Sequence, residues 1–262
     1  MFPVRALLAD LHLGQCPGDL GRFFCATARV RARGVRELVL LGDLFRTLVA
    51  FPRFWDDTIR AGLDELASLR KDGCRVIMLE GNREFFLDDP HMDPFRDRTG
   101  MAHSFAAGGR RFLLEHGDLI NRKDRRYLLW RAVSKSRTAR IWARLLPRSL
   151  ARRIVTGTER RLARTNFNHR RNLPVCAMQA QARSHFASGV DVLVWGHFHR
   201  AWAFEDEGRT AFVLPAWQET GTVMWVGDNG DVSFDPPLDL GSASAGERNE
   251  VAERIVDSPS RP

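Results

Sequence analysis

The chain has 262 residues, 44% of them hydrophobic, enough for one large core or one domain carrying an insertion. Its four cysteines (Cys16, Cys25, Cys74 and Cys176) form no C-x-x-C pair, which argues against a disulfide scaffold, and no window approaches 18 uncharged apolar residues, which excludes a membrane-spanning helix. The net charge is +8, but residues 121–171 hold 17 Lys or Arg against Asp124 and Glu159, so this block carries +15 and the remainder −7. Such a block points to phosphate, nucleic acid or an anionic membrane surface as partner, or else to a solvated arginine-rich helical face.

The N-terminus runs straight into a strand pattern with no basic segment ahead of an apolar one, so a cytoplasmic protein is expected. VRALLAD (4–10), ELVLLGD (37–43) and CRVIMLEG (74–81) read as buried strands. Between them, residues 19–33 and 53–72 place apolar side chains at helical spacing, for example Phe54, Ile59, Leu63, Leu66 and Leu69. This β-α-β-α-β order implies parallel strands joined by crossover helices. GRRFLLEHGD (109–118) is a further strand, opened by the turn signal Gly108-Gly109.

Residues 121–171 then read as an inserted, basic helical cap whose apolar positions are Trp130, Val133, Ile141, Trp142, Leu145 and Leu146, with Pro147 separating two helices. A helix at about 174–188 returns the chain to VDVLVWGHFH (190–199). Two antiparallel hairpins follow, turning at Glu207-Gly208 and Asn229-Gly230. The organisation expected is a catalytic domain from 1–120 and 172–237, the cap at 121–171, and a disordered Gly/Ser/Ala/Pro-rich tail at 238–262.

The strand ends carry the chemistry. Strand one ends in Asp10-Leu11-His12, strand two in Gly42-Asp43, and strand three in Gly81-Asn82-Arg83-Glu84. The FLLEHGD strand ends in His116-Gly117-Asp118, and VLVWGHFH in Gly196-His197-Phe198-His199. Each residue alone has an ordinary role: Asp43 can cap a helix, Asn82 can close a turn, and His116 can sit hydrogen-bonded in a core. Metal-capable groups at five strand ends, mostly beside glycine, instead predict convergence on one rim, because ligands bind beyond the carboxyl ends of such strands. Two aspartates, four histidines and an Asn carbonyl exceed what one ion fills, so two divalent metal ions are expected. A nitrogen and oxygen set without thiolate suits manganese, iron or zinc, and Mn2+ is the expectation. A carboxylate bridging two ions about 3.5–4 Å apart is the clamp used on phosphate esters.

The ordered set D-x-H, G-D, G-N-R-E, H-G-D and G-H-x-H resembles the calcineurin-like metallophosphoesterase superfamily. That resemblance implies an α/β (α+β) fold, a two-sheet sandwich flanked by helices. It also implies that Asp10, His12, Asp43 and His199 hold one metal, and Asp43, Asn82, His116 and His197 the second. Many members place a histidine after the Asn to protonate the leaving group, whereas this chain has Arg83, whose fork matches a pair of phosphate oxygens. The longer pattern ADLHLG, GDLF, GNREFF, HGDLI and GHFHRA is similar to the UDP-2,3-diacylglucosamine hydrolases of lipid A synthesis, which show G-N-R-D-F at the third motif. By this likeness Asp43, Asn82, Arg83 and His116 would be catalytic, and Asn82, Arg83, His197, Asp124, Asn168 and Arg171 would touch substrate.

The function expected is hydrolysis of the pyrophosphate of UDP-2,3-diacylglucosamine to the lipid monophosphate and UMP. The alternative is action on another nucleotide or phosphodiester; a nuclease is disfavoured because Trp130 and Trp142 fall too far apart for a stacking platform. The expected partners are a nucleotide-activated glycolipid and the anionic inner-membrane surface, touched peripherally from the cytoplasmic side, with no stable nucleic-acid partner. No sequence signal sets the oligomeric state.

Overall fold

The computed structural model describes residues 4–147, 150, 157 and 173–238. In chain order the strands are β1 (Arg5–Leu8), β2 (Glu37–Leu40), β3 (Leu48–Val49), β4 (Arg75–Leu79), β5 (Glu84–Phe85), β6 (Arg98–Gly100), β7 (Ala102–Ala107), β8 (Arg110–Glu115), β9 (Val192–Trp195), β10 (Trp202–Asp206), β11 (Arg209–Val213), β12 (Val223–Val226) and β13 (Val232–Asp235). The helices are α1 (Asp19–Ala32), α2 (Asp57–Lys71), α3 (Arg125–Ser134), α4 (Arg137–Leu145), α5 (Val175–Ala187) and α6 (Trp217–Thr220). The strands and helices named from the sequence are present among the described residues, the helix expected after Pro147 lying largely outside them, while β3, β5, β6 and β7 come from stretches whose pattern announced no strand.

Six strands form one sheet in the order β13-β12-β1-β2-β4-β6, with β1, β2, β4 and β6 parallel. Five form the other, β10-β11-β9-β8-β7, in which β9 lies parallel to both neighbours. The uninterrupted apolar runs now have a reason: strand side chains alternate in direction, and both faces of both sheets are covered. Leu7, Val39 and Ile77 meet Phe112, Leu114, Val192 and Val194 between the sheets. Ala6, Leu8, Leu38, Leu40 and Val76 face the other way, onto Phe23, Leu63 and Leu66 of α1 and α2. Leu193 and Trp195 pack against Met178, Ala182 and Phe186 of α5. The result is the expected two-sheet sandwich between helices.

Local chemistry sets the helix starts. Asp56 caps α2 by accepting from the Ile59 amide at 2.9 Å. Asp19 accepts from the amides of Gly14, Gln15 and Cys16, folding the loop that follows His12. The cap breaks where the sequence pattern ran on: α3 ends at Ser134, and Ser136 caps α4 by accepting from the Ala139 amide at 3.1 Å. The expected break ahead of Pro147 is there as well, with α4 ending at Leu145 and Leu146 extended.

The cap's apolar residues do not sit as their pattern suggested. Trp130 turns inward, edge-on to Phe85 at 5.9 Å. Leu129, Val133, Ile141, Trp142 and Leu145 are 58–70% exposed. The inner face of the cap carries cations instead: Arg131, Lys135, Arg140 and Arg144 pair with Asp118, Glu80, Asp88 and Asp89. All four cysteines are free thiols. Among the described residues no helix is long and apolar enough to cross a membrane. Asn168, Arg171 and the tail at 239–262 lie outside the described residues.

Candidate metal centre

Each parallel strand delivers its motif to the same rim by an abrupt turn of the backbone. Among the described residues seven non-glycine positions have positive φ, and five of them are Asp10 (54°), His12 (47°), Asp43 (53°), His197 (69°) and His199 (57°). L-residues avoid this region, and surroundings that enforce it repeatedly at one place mark a functional site. The glycines beside them allow the approach. A Cβ on Gly81 would lie 2.5 Å from Asp43 Oδ1, one on Gly42 2.6 Å from His116 Nδ1, and one on Gly196 2.8 Å from Asp10 Oδ2.

Two donor groups form; Asp43 faces both, and Asp10 also lies within reach of Asp43 and His116. In the first, His12 Nε2 and His199 Nε2 face each other at 3.1 Å. Asp10 Oδ1 lies 3.4 Å from His199 Nε2 and 3.9 Å from His12 Nε2, while Asp43 Oδ2 lies 4.0 Å from His12 Nε2. In the second, Asn82 Oδ1 is 3.1 Å from both His116 Nε2 and His197 Nδ1, and Asp43 Oδ1 is 3.6 Å from His116 Nε2. The two carboxylate oxygens of Asp43 thus point to different groups. Asp10, Asp43 and all four histidines are brought together, and the Asn carbonyl with them.

These groups fit a cation better than they fit one another. Asp10 Oδ2 accepts from the His197 amide at 2.7 Å, leaving Oδ1 buried with no hydrogen-bond partner. His116 Nδ1 donates to the Leu41 carbonyl at 2.7 Å, which puts the ring proton there and leaves the Nε2 lone pair facing oxygen acceptors. Burial, reinforced by Arg83, holds His12 well below its usual pKa, and burial together with His116 puts His197 at about 3. Both rings are neutral at pH 7 and offer lone pairs. Burial alone would lower the His116 pKa, yet Asp43 and Asp10 raise it overall, so the local field favours positive charge. Burial pushes the Asp43 carboxyl upward, a cost that a bound cation would relieve.

Three supporting groups escaped sequence reasoning. Glu84 is buried and accepts from the amides of Asp43 (2.9 Å), Leu44 (2.7 Å) and Gly81 (2.9 Å), tying the second and third motifs together. Its presence in GNRE was visible, but three backbone partners cannot be read from a motif. Glu219 on α6 lies 3.6 Å from His199 Nδ1, and nothing in its surroundings along the chain signals that. Asp118 accepts from Tyr127 and Arg131 of the cap.

Arg83 is buried beside Asp43: its amide donates to Asp43 Oδ1 at 3.0 Å, its Nε lies 3.3 Å from Asp43 Oδ2, and its Nη1 donates to the Arg46 carbonyl at 3.1 Å. Asp124 stands at the N-terminus of α3, where its carboxylate caps the helix by accepting from the Tyr127 amide at 2.9 Å.

With this geometry in view, likeness to other proteins gains meaning. The UDP-2,3-diacylglucosamine hydrolase of Stenotrophomonas maltophilia (strain K279a) is 30% identical over 253 residues, covering 87% of this chain and 96% of that protein. The UDP-2,3-diacylglucosamine hydrolase of Ralstonia nicotianae is 28% identical over 230 residues, covering 82% and 86%. A dimetal phosphatase from Danio rerio is similar with a TM-score of 0.47 at 18% identity, covering 86% of this chain and 94% of that one. The family model described as calcineurin-like phosphoesterase matches residues 5–201, the span that carries all five motifs. The chain belongs to the calcineurin-like phosphoesterase family, whose members are metal-dependent phosphoester hydrolases.

Proposed function

We propose that this chain is a two-metal hydrolase of UDP-2,3-diacylglucosamine, releasing 2,3-diacylglucosamine 1-phosphate and UMP in lipid A biosynthesis at the cytoplasmic face of the inner membrane. The observation that carries the reading is that Asp43 turns one carboxylate oxygen to His12 and the other to His116, with the Arg83 guanidinium beside it. Asp10, His12, Asp43 and His199 would hold one ion, and Asp43, Asn82, His116 and His197 the other. Two divalent ions, manganese for preference, would supply Lewis-acid polarisation of the phosphoryl oxygens and lower the pKa of water.

The residues themselves do the rest. Arg83 cannot donate a proton at neutral pH, but its guanidinium, paired through Nε with Asp43 Oδ2 at 3.3 Å, can bind a phosphoryl oxygen. That choice suits an anhydride: the departing phosphate monoester has a second pKa of about 6, so it leaves without a general acid. An alkoxide leaving group would need the histidine this chain lacks after Asn82. The exposed apolar residues of α3 and α4, set among arginines, support acyl-chain contact and peripheral attachment to anionic lipid. The names of the relatives point to the same substrate. Asp124, Asn168 and Arg171 stay candidates for substrate contact.

Incubation with UDP-2,3-diacylglucosamine and Mn2+ should release UMP, followed by nucleotide chromatography. Hydrolysis of a generic phosphodiester without cleavage of the nucleotide lipid would leave only the phosphoesterase and reject the lipid substrate.

A further inference from the structure

Helix α3 and its C-cap carry three polar side chains four residues apart, Tyr127, Arg131 and Lys135, and positions four apart share a helix face. All three are partly buried, on the side where Trp130 meets Phe85, while Arg125, Arg126, Leu129 and Val133 are exposed. Every one of the three ends on a loop of the metal centre. The Tyr127 hydroxyl and Arg131 Nε, the latter at 2.8 Å, both donate to Asp118 Oδ2, two residues after His116. Lys135 Nζ donates to the Gly81 carbonyl at 2.6 Å, one residue before Asn82, and pairs with Glu80 at 2.8 Å. Its Nζ also lies over the Phe85 ring, 5.6 Å from the centroid.

Asn82 and His116 belong to the second donor group and not to the first. The loops that bear Asp10, His12 and His199 receive none of these three contacts. The first group is instead held by the chain of the sandwich itself, through the His197 amide on Asp10 and the His12 amide on the Asp43 carbonyl at 2.9 Å. The sandwich supports the second group too, through His116 Nδ1 on the Leu41 carbonyl and Glu84 on the Gly81 amide, but of the two groups only the second also receives these contacts from the cap.

We propose that the cap is a scaffold for one half of the metal centre: Tyr127, Arg131 and Lys135 are positioning residues that hold the Asn82 and His116 loops, so affinity for the second ion depends on the docking of α3. This rests on the two-metal reading above, and adds to it that the cap has a task separate from substrate recognition. Two consequences follow from the geometry. Loosening α3 weakens the second ion while sparing the first. By reciprocity of coupled binding, loading the second ion tightens α3 onto the sandwich.

The test is Mn2+ titration calorimetry on the full chain and on Lys135→Met, Tyr127→Phe and Arg126→Ala, with amide hydrogen exchange followed on α3 before and after Mn2+. Lys135→Met keeps an unbranched apolar chain and removes the ammonium. It should bind the first ion as the parent does and the second about 10- to 100-fold more weakly, the usual effect of losing an outer support of a ligand. Tyr127→Phe should show the same pattern, smaller because Arg131 still holds Asp118, and Lys135→Arg should restore part of the loss. Arg126→Ala removes a cap cation on the exposed side and should change neither affinity. In the parent, Mn2+ should slow exchange of α3 amides. If the parent binds two ions and Lys135→Met and Tyr127→Phe bind both equally well, the scaffold is refuted while the two-metal reading stands. A parent that takes up no second ion refutes both.

Discussion

At the strand-end rim the chain places polar residues on strained backbone deep in the protein, whereas in α3 and α4 it leaves Leu129, Val133, Ile141, Trp142 and Leu145 exposed while Arg131 is docked. The rim carries five positive-φ non-glycine residues, of which Asp10, His12, Asp43 and His199 are buried, packed around glycines that have no room for a Cβ. The cap shows the reverse of ordinary amphipathicity, with Trp142 and Leu145 exposed and Arg131 and Lys135 docked. Rigid geometry is what a pair of closely spaced cations demands of its ligands. An outward apolar face on a basic helix is what a lipid demands of a cover. The two regions meet at Asp118 and Gly81, which Arg131 and Lys135 of the cap reach.

The largest effect should come from the residue both donor groups share. Asp43→Ala should leave less than a few per cent of wild-type turnover while circular dichroism shows the fold retained, since the oxygens facing both groups are lost together. Activity well above that level would break the reading of Asp43 as the bridge. Arg83→Ala sharpens the division between binding metal and binding phosphate. It should keep both ions, because a guanidinium offers no lone pair, yet lose about 2–4 kcal/mol of transition-state stabilisation, read as a fall in kcat. Metal analysis showing an emptied site would make Arg83 a structural support instead.

The smallest effect lies on the boundary between the regions. Burial alone would raise the Asp118 pKa, but His116 and Arg131 hold it at about 2, below its usual 3.8. A depressed carboxyl stabilises the fold above its unfolded pKa and stops doing so as pH falls through the folded one. Its share is about 2 kcal/mol. In the metal-free protein, the gap in unfolding free energy between wild type and Asp118→Asn should hold from pH 7 to 5 and narrow from pH 4 toward 2. Urea melts at pH 5 and pH 3 that show the same gap, or a wider one at pH 3, would mean that Asp118 does not anchor the cap through its charge.

The rim was legible because its determinants are local. A buried strand that stops at Asp10-Leu11-His12 reveals both its direction and its end, and parallel strands of one sheet bring such ends together. Glu84 was visible as a letter of GNRE but not as a clamp, because its three partners are main-chain amides from two loops. The cap was legible only in outline. Its arginines and apolar residues alternate at helical spacing, and the period does not say which stripe faces the protein. Acids far away in the chain settled that: Asp88, Asp89, Glu80 and Asp118 sit where the helices land and attract the cations inward. The residue at the α3 terminus shows the same limit, since Asp124 eight positions after His116 satisfies a helix amide by a rule that distance along the chain cannot separate from ligand binding.

The most direct test of two ions sharing one carboxylate is anomalous scattering from crystals of the protein grown with Mn2+. Two peaks should appear, one on each side of Asp43, the first among Asp10, His12 and His199 and the second among Asn82, His116 and His197. A single peak, or a pair that leaves Asp43 uncoordinated, would contradict the account.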